Sequence, residues 1–199
     1  MPTKKKYSLG LDLRTNSCRA VIVDLNDGRE LSTFVFPYPS GSDGILLDPK
    51  DPNVARQNPA DYLVGIEEMV QGAIKQARKA SPGFEPMQII GIGIDTTGSS
   101  PMPVDKNGTP LAFSPAFKKN LNAMVWLWKD HSSYAESALI TELAQKMRPQ
   151  YLAKIGGTYS SEWFWSKILH CRKVTPEVFR AAHNFVEICD YIPALLAGE

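Results

Sequence analysis

A chain of 199 residues, of which 43% are hydrophobic and 22% charged, is long enough to fold as one globular domain or as two small ones. Its 22 Lys and Arg residues against 21 Asp and Glu give a net charge of +1, which provides no electrostatic case for binding nucleic acid or an anionic membrane. Because the 3 cysteines form no CxxC pattern and no long apolar stretch follows the lysine-rich start, we expect neither a disulfide framework nor a secretion signal, but a cytoplasmic protein.

The beginning of the chain predicts an antiparallel meander of three strands. Residues 7–13 are mostly apolar and residues 18–24 are rich in β-branched side chains, so both ranges predict buried strands. The tripeptide Asn26-Asp27-Gly28 comes next and is typical of a tight hairpin turn, because Asn and Gly accept the positive φ that such turns need. Residues 29–36 then predict the third strand.

A long loop, a helix and a fourth strand are expected next. Residues 37–57 contain four prolines and predict a loop without regular structure. Asn58 and Pro59 are typical of a helix start, and apolar residues recur after them at helical spacing. Residues 87–95 predict a strand that is apolar enough for the centre of a sheet.

The second half of the chain predicts mainly helices. Lys106-Asn107-Gly108 is a second hairpin signal between residues 99–104 and 109–112. Ala138, Leu139 and Leu143 are expected on one face of the helix over residues 134–147. The expected later elements are helices at 134–147 and 162–172, a helix capped by Thr175, a strand at 185–189 and a helix at 190–197. The sum is an α/β protein in which helices flank a mixed sheet.

The first of four motifs with chemical potential runs from Gly10 to Ser17, between the first two strands. Such a turn can direct backbone N–H groups and the Thr15 hydroxyl at phosphate oxygens, because these donors converge on one point. A carboxylate at a strand end, such as Asp12, can position Mg²⁺ or its water shell. The alternative is an ordinary hairpin in which Asp12 or Thr15 bonds within its own turn.

The second motif follows the fourth strand. Asp95, Thr96, Thr97 and Gly98 come at its carboxyl end, where ligands often bind in α/β sheets. The hydroxyls suit a polyol, and Gly98 permits close approach of the backbone. The alternative is a strand exit that is stabilised by local Ser and Thr hydrogen bonds.

The third motif runs from Trp126 to His131. Trp128 beside the alternating charges of Lys129 and Asp130 is typical of a sugar site, because the apolar face of a sugar stacks on an indole while its hydroxyls bond to charged groups. The alternatives are core packing for Trp126 and helix capping for Asp130. No metal site is expected, since the spacing of the histidines fits no ligand motif.

The fourth motif places two glycines, two serines and Glu162 before the aromatic run 163–165. Three successive aromatic side chains cannot all face one core, so at least one is expected to be exposed or to line a cleft. The alternative is that Trp163 and Trp165 pack where two elements meet.

Taken in this order, the four motifs resemble the FGGY family of carbohydrate kinases, over residues 7–198. The resemblance implies the actin-like, ribonuclease-H-like ATPase fold and the ATP-dependent, Mg²⁺-dependent phosphorylation of a ketopentose. It implies that Asp12 and Thr15 bind phosphate and Mg²⁺. The positions that it assigns to the sugar site are Thr96, Thr97, Trp128, Asp130 and Glu162.

Two departures from the family pattern limit what the resemblance implies. Arg14 stands where the family's phosphate loop usually has glycine, so it either clashes with phosphate or adds a contact to it. Family members are also longer, which implies that residues 1–199 are a partial amino-terminal, sugar-binding domain without the ATP-binding domain and the catalytic base. We therefore expect the isolated chain to be inactive. Apolar surface that the absent second domain would cover is then exposed, which predicts aggregation or a homo-oligomer.

Two alternatives to a ketopentose kinase remain open at this point. One is a kinase for another ketose or a polyol, since an indole and hydroxyls suit several sugars. The other is a non-catalytic sugar-binding module on the same scaffold, which Arg14 favours.

Overall fold

The computed structural model describes residues 5–198, and the chain divides into two compact units. Within the described residues, the first unit comprises 5–44 and 60–96, and the second comprises 45–59 and 97–198. Over residues 5–198, no helix has both the length and the apolar character that crossing a membrane requires.

Strands predominate in the first part of the chain and helices in the second. In order they are β1 (Tyr7–Leu13), β2 (Ser17–Asp24), β3 (Glu30–Pro37), β4 (Leu46–Asp48), β5 (Asp51–Gln57), α1 (Pro59–Ala80), β6 (Ile89–Thr96), β7 (Pro101–Val104), β8 (Val125–Trp126), α2 (Tyr134–Met147), α3 (Pro149–Ala153), α4 (Phe164–Val174), α5 (Pro176–Ala181), β9 (Asn184–Glu187) and α6 (Ile188–Ala197). The predicted α/β class is confirmed.

The first unit is built on a four-stranded mixed sheet in the order β3-β2-β1-β6. The predicted meander is confirmed, because β1, β2 and β3 pair antiparallel and Gly28 closes the turn with a φ of 74°. The prediction that β6 lies at the sheet centre is wrong for the described residues: β6 pairs with β1 in parallel and forms an edge. Its Ile90 and Ile92 are 61% and 57% exposed.

Helix α1 packs closely against β2 and β3. The Ser32 hydroxyl on β3 donates to the Ala73 carbonyl on α1 at 2.8 Å. Gly72 allows this approach, because a Cβ atom there would lie 2.4 Å from the Phe34 ring. Met69, Ala73 and Ala77 of α1 are fully buried, so the buried helix face that the spacing of the apolar residues predicts is confirmed.

The loop predicted over residues 37–57 is wrong, since this range contains β4 and β5. These strands pair with each other, and β5 also pairs with β8 in the second unit. The prolines do not prevent the pairing, because Pro49 lies in the turn between the strands and Pro52 lies outside the paired positions. The end of β5 is buried from Val54 to Gln57.

The second unit combines the sheet β4-β5-β8 and the pair β7-β9 with helices α2 to α6. Its core includes Leu111, Ala123, Trp126, Cys171 and Val178. The helix predictions are confirmed within a few residues of each boundary. The second hairpin is only partly formed, because a single bridge joins Val104 to Pro110 after the turn.

The apolar face of α2 is not its buried face. Leu139 and Leu143 are 38% and 47% exposed. The helix instead buries Glu136, which accepts hydrogen bonds from His170 at 2.8 Å and from Lys173 at 3.0 Å. The polar contact with α4 therefore orients α2, and the apolar periodicity does not.

Candidate functional site

A cluster of four charged side chains lies at the carboxyl ends of β1 and β6, in the first unit. Asp12 and Asp95 are Cα partners in the parallel register, so the two strands bring both carboxylates to the same end of the sheet. The Arg14 guanidinium donates to Asp12 through a short contact and to Asp95 at 3.1 Å. Arg19 donates to the other oxygen of Asp12 at 2.8 Å.

An open cleft of about 700 Å³ adjoins this cluster, within the range of small-molecule sites. Asp12, Asp95 and Arg19 are among its lining residues, together with Gly10 and Gly93. Thr15, which the sequence pairs with Asp12 as a phosphate residue, is half-buried in the following turn and is not among the lining residues.

Arg19 is a cleft residue that sequence reasoning missed. The signal for it was present, because a hairpin between β1 and β2 places Arg19 directly opposite Asp12. A tight turn sets that register, and charged residues opposite each other form a cross-strand pair.

The backbone at Arg14 does not require glycine. Asp43 and Ser99 are the non-glycine residues with positive φ within residues 5–198, so Arg14 has an ordinary φ. Its hydrogen bond and ion pair with Asp12, and its attraction to Asp95, raise the pKa of Arg14, which therefore stays protonated. Arg14 keeps a 61% exposed side chain over the two carboxylates.

The predicted threonines fall in different units. Thr96 ends β6 opposite Leu13 in the first unit. Thr97 begins the second unit, and its hydroxyl lies 3.1 Å from the Ser100 hydroxyl. Both threonines are half-buried.

A fully buried ion pair organises the second unit. Arg56 on β5 and Asp130 after β8 are both 0% exposed and are in direct contact. Asp130 also accepts from the Ala55 backbone N–H at 2.7 Å and from the Ser132 hydroxyl at 2.6 Å. The Arg56 guanidinium lies 3.5 Å from the centroid of the Trp126 ring, a cation–π contact.

These contacts occupy the Asp130 carboxylate inside the protein. Burial lowers the pKa of Arg56 to about 9, so the guanidinium remains protonated at neutral pH and balances the charge of Asp130. The sequence assigned Asp130 to the sugar, and that assignment stays a prediction. Trp126 is a core residue, as its alternative interpretation held.

Trp128 and Glu162 lie at the surface of the second unit. Trp128 is 42% exposed, two residues after the buried Trp126. The Nδ1 atom of His131 lies 3.0 Å from the Ser161 hydroxyl, and its Nε2 atom lies 3.6 Å from the Glu162 carboxylate. His131 thus holds the Ser161–Glu162 segment beside its own, a role that the sequence did not reveal.

The aromatic run before and within α4 divides as expected. Trp165 is 65% exposed, whereas Trp163 is half-buried and makes an edge contact with Tyr159 at 5.0 Å between ring centroids. Within residues 5–198, no group of three or more His, Cys, Asp or Glu side chains could hold a metal ion.

Comparison with known proteins identifies a family. Residues 7–199 match the family described as FGGY carbohydrate kinases, N-terminal domain. The ribulokinase of Vibrio parahaemolyticus is 40% identical over 196 residues, which cover 98% of this chain and 34% of the relative. The ribulokinase of Shouchella clausii is 38% identical, with the same coverage. The chain thus spans about a third of the length of these relatives.

Solved structures share the fold. A xylulose kinase from Rhodospirillum rubrum superposes with a TM-score of 0.68 at 19% identity, over 96% of this chain and 34% of that one. A Plasmodium falciparum glycerol kinase gives a TM-score of 0.69 at 16% identity, over 96% and 34% of the two chains. The expected actin-like ATPase fold is confirmed.

The buried ion pair leads to a first prediction. Asp130→Ala should lower the free energy of unfolding by about 3–5 kcal/mol, because it leaves the Arg56 charge buried without a partner. The double variant Arg56→Met with Asp130→Leu should lose much less, since it removes both charges. Urea denaturation measures both, and Glu142→Ala, which breaks an exposed pair with Lys146, is the control. A double variant as unstable as Asp130→Ala would contradict this account.

Proposed function

Because the chain belongs to the FGGY family of carbohydrate kinases, we propose that its parent protein transfers the γ-phosphoryl group of ATP to a terminal hydroxyl of L-ribulose. The parent protein is this chain extended to the length of its relatives. The observation that supports the proposal most is the 40% identity to a ribulokinase over nearly the whole chain. The proposal includes a role in arabinose catabolism in the cytoplasm.

The proposed sugar site lies in the second unit, on the segments that carry Trp128 and Glu162. The indole stacks on the apolar face of the sugar, and the carboxylate accepts hydrogen bonds from its hydroxyls. Thr97 adds a hydroxyl, and Thr96 is proposed as a sugar residue from the family resemblance alone. Asp130, being buried, acts on the sugar chiefly by fixing the segment that carries Trp128.

The proposed phosphate site lies in the first unit, at Asp12 and Thr15. Mg²⁺ prefers one or two carboxylates together with phosphate oxygens, and Asp12 with Asp95 supplies such carboxylates at one end of the sheet. We propose that these carboxylates would hold the ion, which would neutralise charge on the phosphates of ATP. Arg14 and Arg19 meanwhile keep the two carboxylates from repelling a polyanion.

We propose that residues 1–199 are a partial domain and do not turn over alone. Phosphoryl transfer depends on positioning and charge stabilisation across a complete site. The remaining two thirds of the relatives' length would supply the second domain, most of the ATP contacts and the catalytic base.

A non-catalytic sugar-binding module is the second candidate. The observation that favours it is the guanidinium of Arg14, which bridges Asp12 and Asp95 at the proposed phosphate site. A kinase for another ketose or polyol is the alternative within the family, and a panel of sugars tests it.

Kinase activity of the parent protein is the direct test. We expect ATP-dependent formation of ADP with L-ribulose, in preference to other ketoses and polyols. Trp128→Ala should raise the KM for the sugar about tenfold or more, because stacking on the indole is lost, while the KM for ATP stays unchanged. Trp165→Ala, which removes another exposed indole, is the matched control. Absence of turnover with every sugar would refute the kinase proposal.

Arg14 provides a second functional test. If its guanidinium contributes to phosphate binding, Arg14→Gly in the parent protein should raise the KM for ATP about tenfold, the loss of one charge-assisted hydrogen bond. Arg14→Lys should keep part of the affinity, since it keeps the charge. A lower KM for ATP in Arg14→Gly would show instead that the arginine obstructs the site.

We also propose that the isolated 199-residue chain forms homo-oligomers through the edge strand β6. An unprotected edge with exposed apolar side chains pairs readily with another chain. Sedimentation velocity should show association that increases with concentration, and Ile92→Lys should reduce it. A monomer at all concentrations would contradict the proposal.

A further inference from the structure

Lys167 is a buried lysine with two backbone partners. It lies on α4 and is 0% exposed, although lysine is almost never fully buried unless it is paired. Its ammonium group donates to the Ser99 carbonyl at 2.6 Å and to the Leu127 carbonyl at 2.7 Å. The two acceptors are 68 and 40 residues away along the chain, so one side chain joins three separate segments.

Each of the three segments carries a residue of the proposed sugar site. Ser99 follows Thr97 by two positions, and Leu127 directly precedes Trp128. Lys167 itself comes five positions after Glu162, one turn into α4. All three segments lie within the second unit.

The Ser99 segment needs such a partner to keep its shape. Ser99 has a φ of 52°, a left-handed conformation that non-glycine residues adopt only when their surroundings hold them there. The next residue is held as well, since the Ser100 backbone N–H donates to the Glu187 carboxylate at 2.6 Å. Contacts on both sides therefore determine the direction of the chain just after Thr97.

We propose that Lys167 is a positioning residue for sugar binding: through the Ser99 and Leu127 carbonyls it fixes Thr97 and Trp128 relative to Glu162. This inference rests on the proposed function, because it assigns Lys167 a role at the same sugar site. Lys167 is enclosed and both of its hydrogen bonds go to the backbone, so it acts through these segments and does not touch the sugar.

The charge environment explains how a lysine persists at this place. Burial, and then the neighbouring Arg56 charge, lower the pKa of Lys167 to about 7, while Glu187 and Glu162 act in the opposite direction. A large share of the side chain is therefore the neutral amine at neutral pH. Since a neutral amine still has two N–H groups, both carbonyl hydrogen bonds persist without the charge.

The test compares two variants of the full-length parent enzyme. Lys167→Met and Lys167→Gln both shorten the side chain by one atom, but methionine has no hydrogen-bond donor whereas glutamine keeps two N–H donors. We expect Lys167→Met to raise the KM for L-ribulose about tenfold or more with the KM for ATP unchanged, because small displacements of positioning groups are costly. Lys167→Gln should show a smaller effect.

Lys173→Met is the matched control. It removes an ammonium group from the same helix, but this group donates to Glu136 and not to the Ser99 or Leu127 carbonyl. Hydrogen–deuterium exchange provides a readout that does not depend on turnover. In Lys167→Met, exchange should rise at residues 97–100 and 127–130 and stay unchanged at residues 17–24.

The outcomes separate this inference from the proposed function. If the wild-type parent is active and the Lys167→Met variant has the same KM for the sugar, the positioning role is overturned. A wild-type parent that phosphorylates no sugar refutes the kinase proposal, and the exchange measurement then decides on Lys167 alone. Unchanged exchange at both segments would show that Lys167 does not hold them.

Discussion

The burial of charge inside the second unit is the constraint on which its organisation depends. Arg56, Asp130 and Lys167 are all fully enclosed, and enclosed ionisable groups are costly unless each finds hydrogen bonds and either a charged partner or its neutral form. Asp130 pairs with Arg56, and Lys167 donates to two backbone carbonyls. These partners come from distant parts of the chain, so satisfying the charges also determines where the segments with Trp128 and Glu162 lie. The same buried groups therefore determine both the packing of the second unit and the placement of the proposed sugar-binding residues.

The first unit uses charge in the opposite way. Arg14 and Asp95 are mostly exposed at an open cleft, and exposed ion pairs contribute little to stability. Such pairs can exchange partners when a polyanion or a cation arrives. A rigid buried network beside the proposed sugar contacts and an adaptable exposed cluster at the proposed phosphate contacts suit the two ligands of a sugar kinase, one neutral and one highly charged.

Local sequence patterns predicted the elements that depend on local interactions. The β1–β3 meander and the start of α1 follow from alternation, a tight turn and a capping sequence. Tertiary contacts decided the rest: β5 forms despite Pro52 because β4 and β8 pair with it, and α2 turns Glu136 inward because His170 and Lys173 lie there. The hydrogen bonds from Lys167 to Ser99 and Leu127 could not be predicted, since their acceptors are backbone carbonyls, which leave no sequence signal. The assignment of site residues from the motifs still awaits direct test.

The most direct measurement is a crystal structure of the full-length parent protein with L-ribulose bound. The account predicts the sugar against the Trp128 indole, within hydrogen-bond distance of Glu162. It also predicts that the Lys167 Nζ atom remains bonded to the Ser99 and Leu127 carbonyls beneath it. A sugar bound away from Trp128, or a bound sugar with both Lys167 hydrogen bonds broken, would contradict the account.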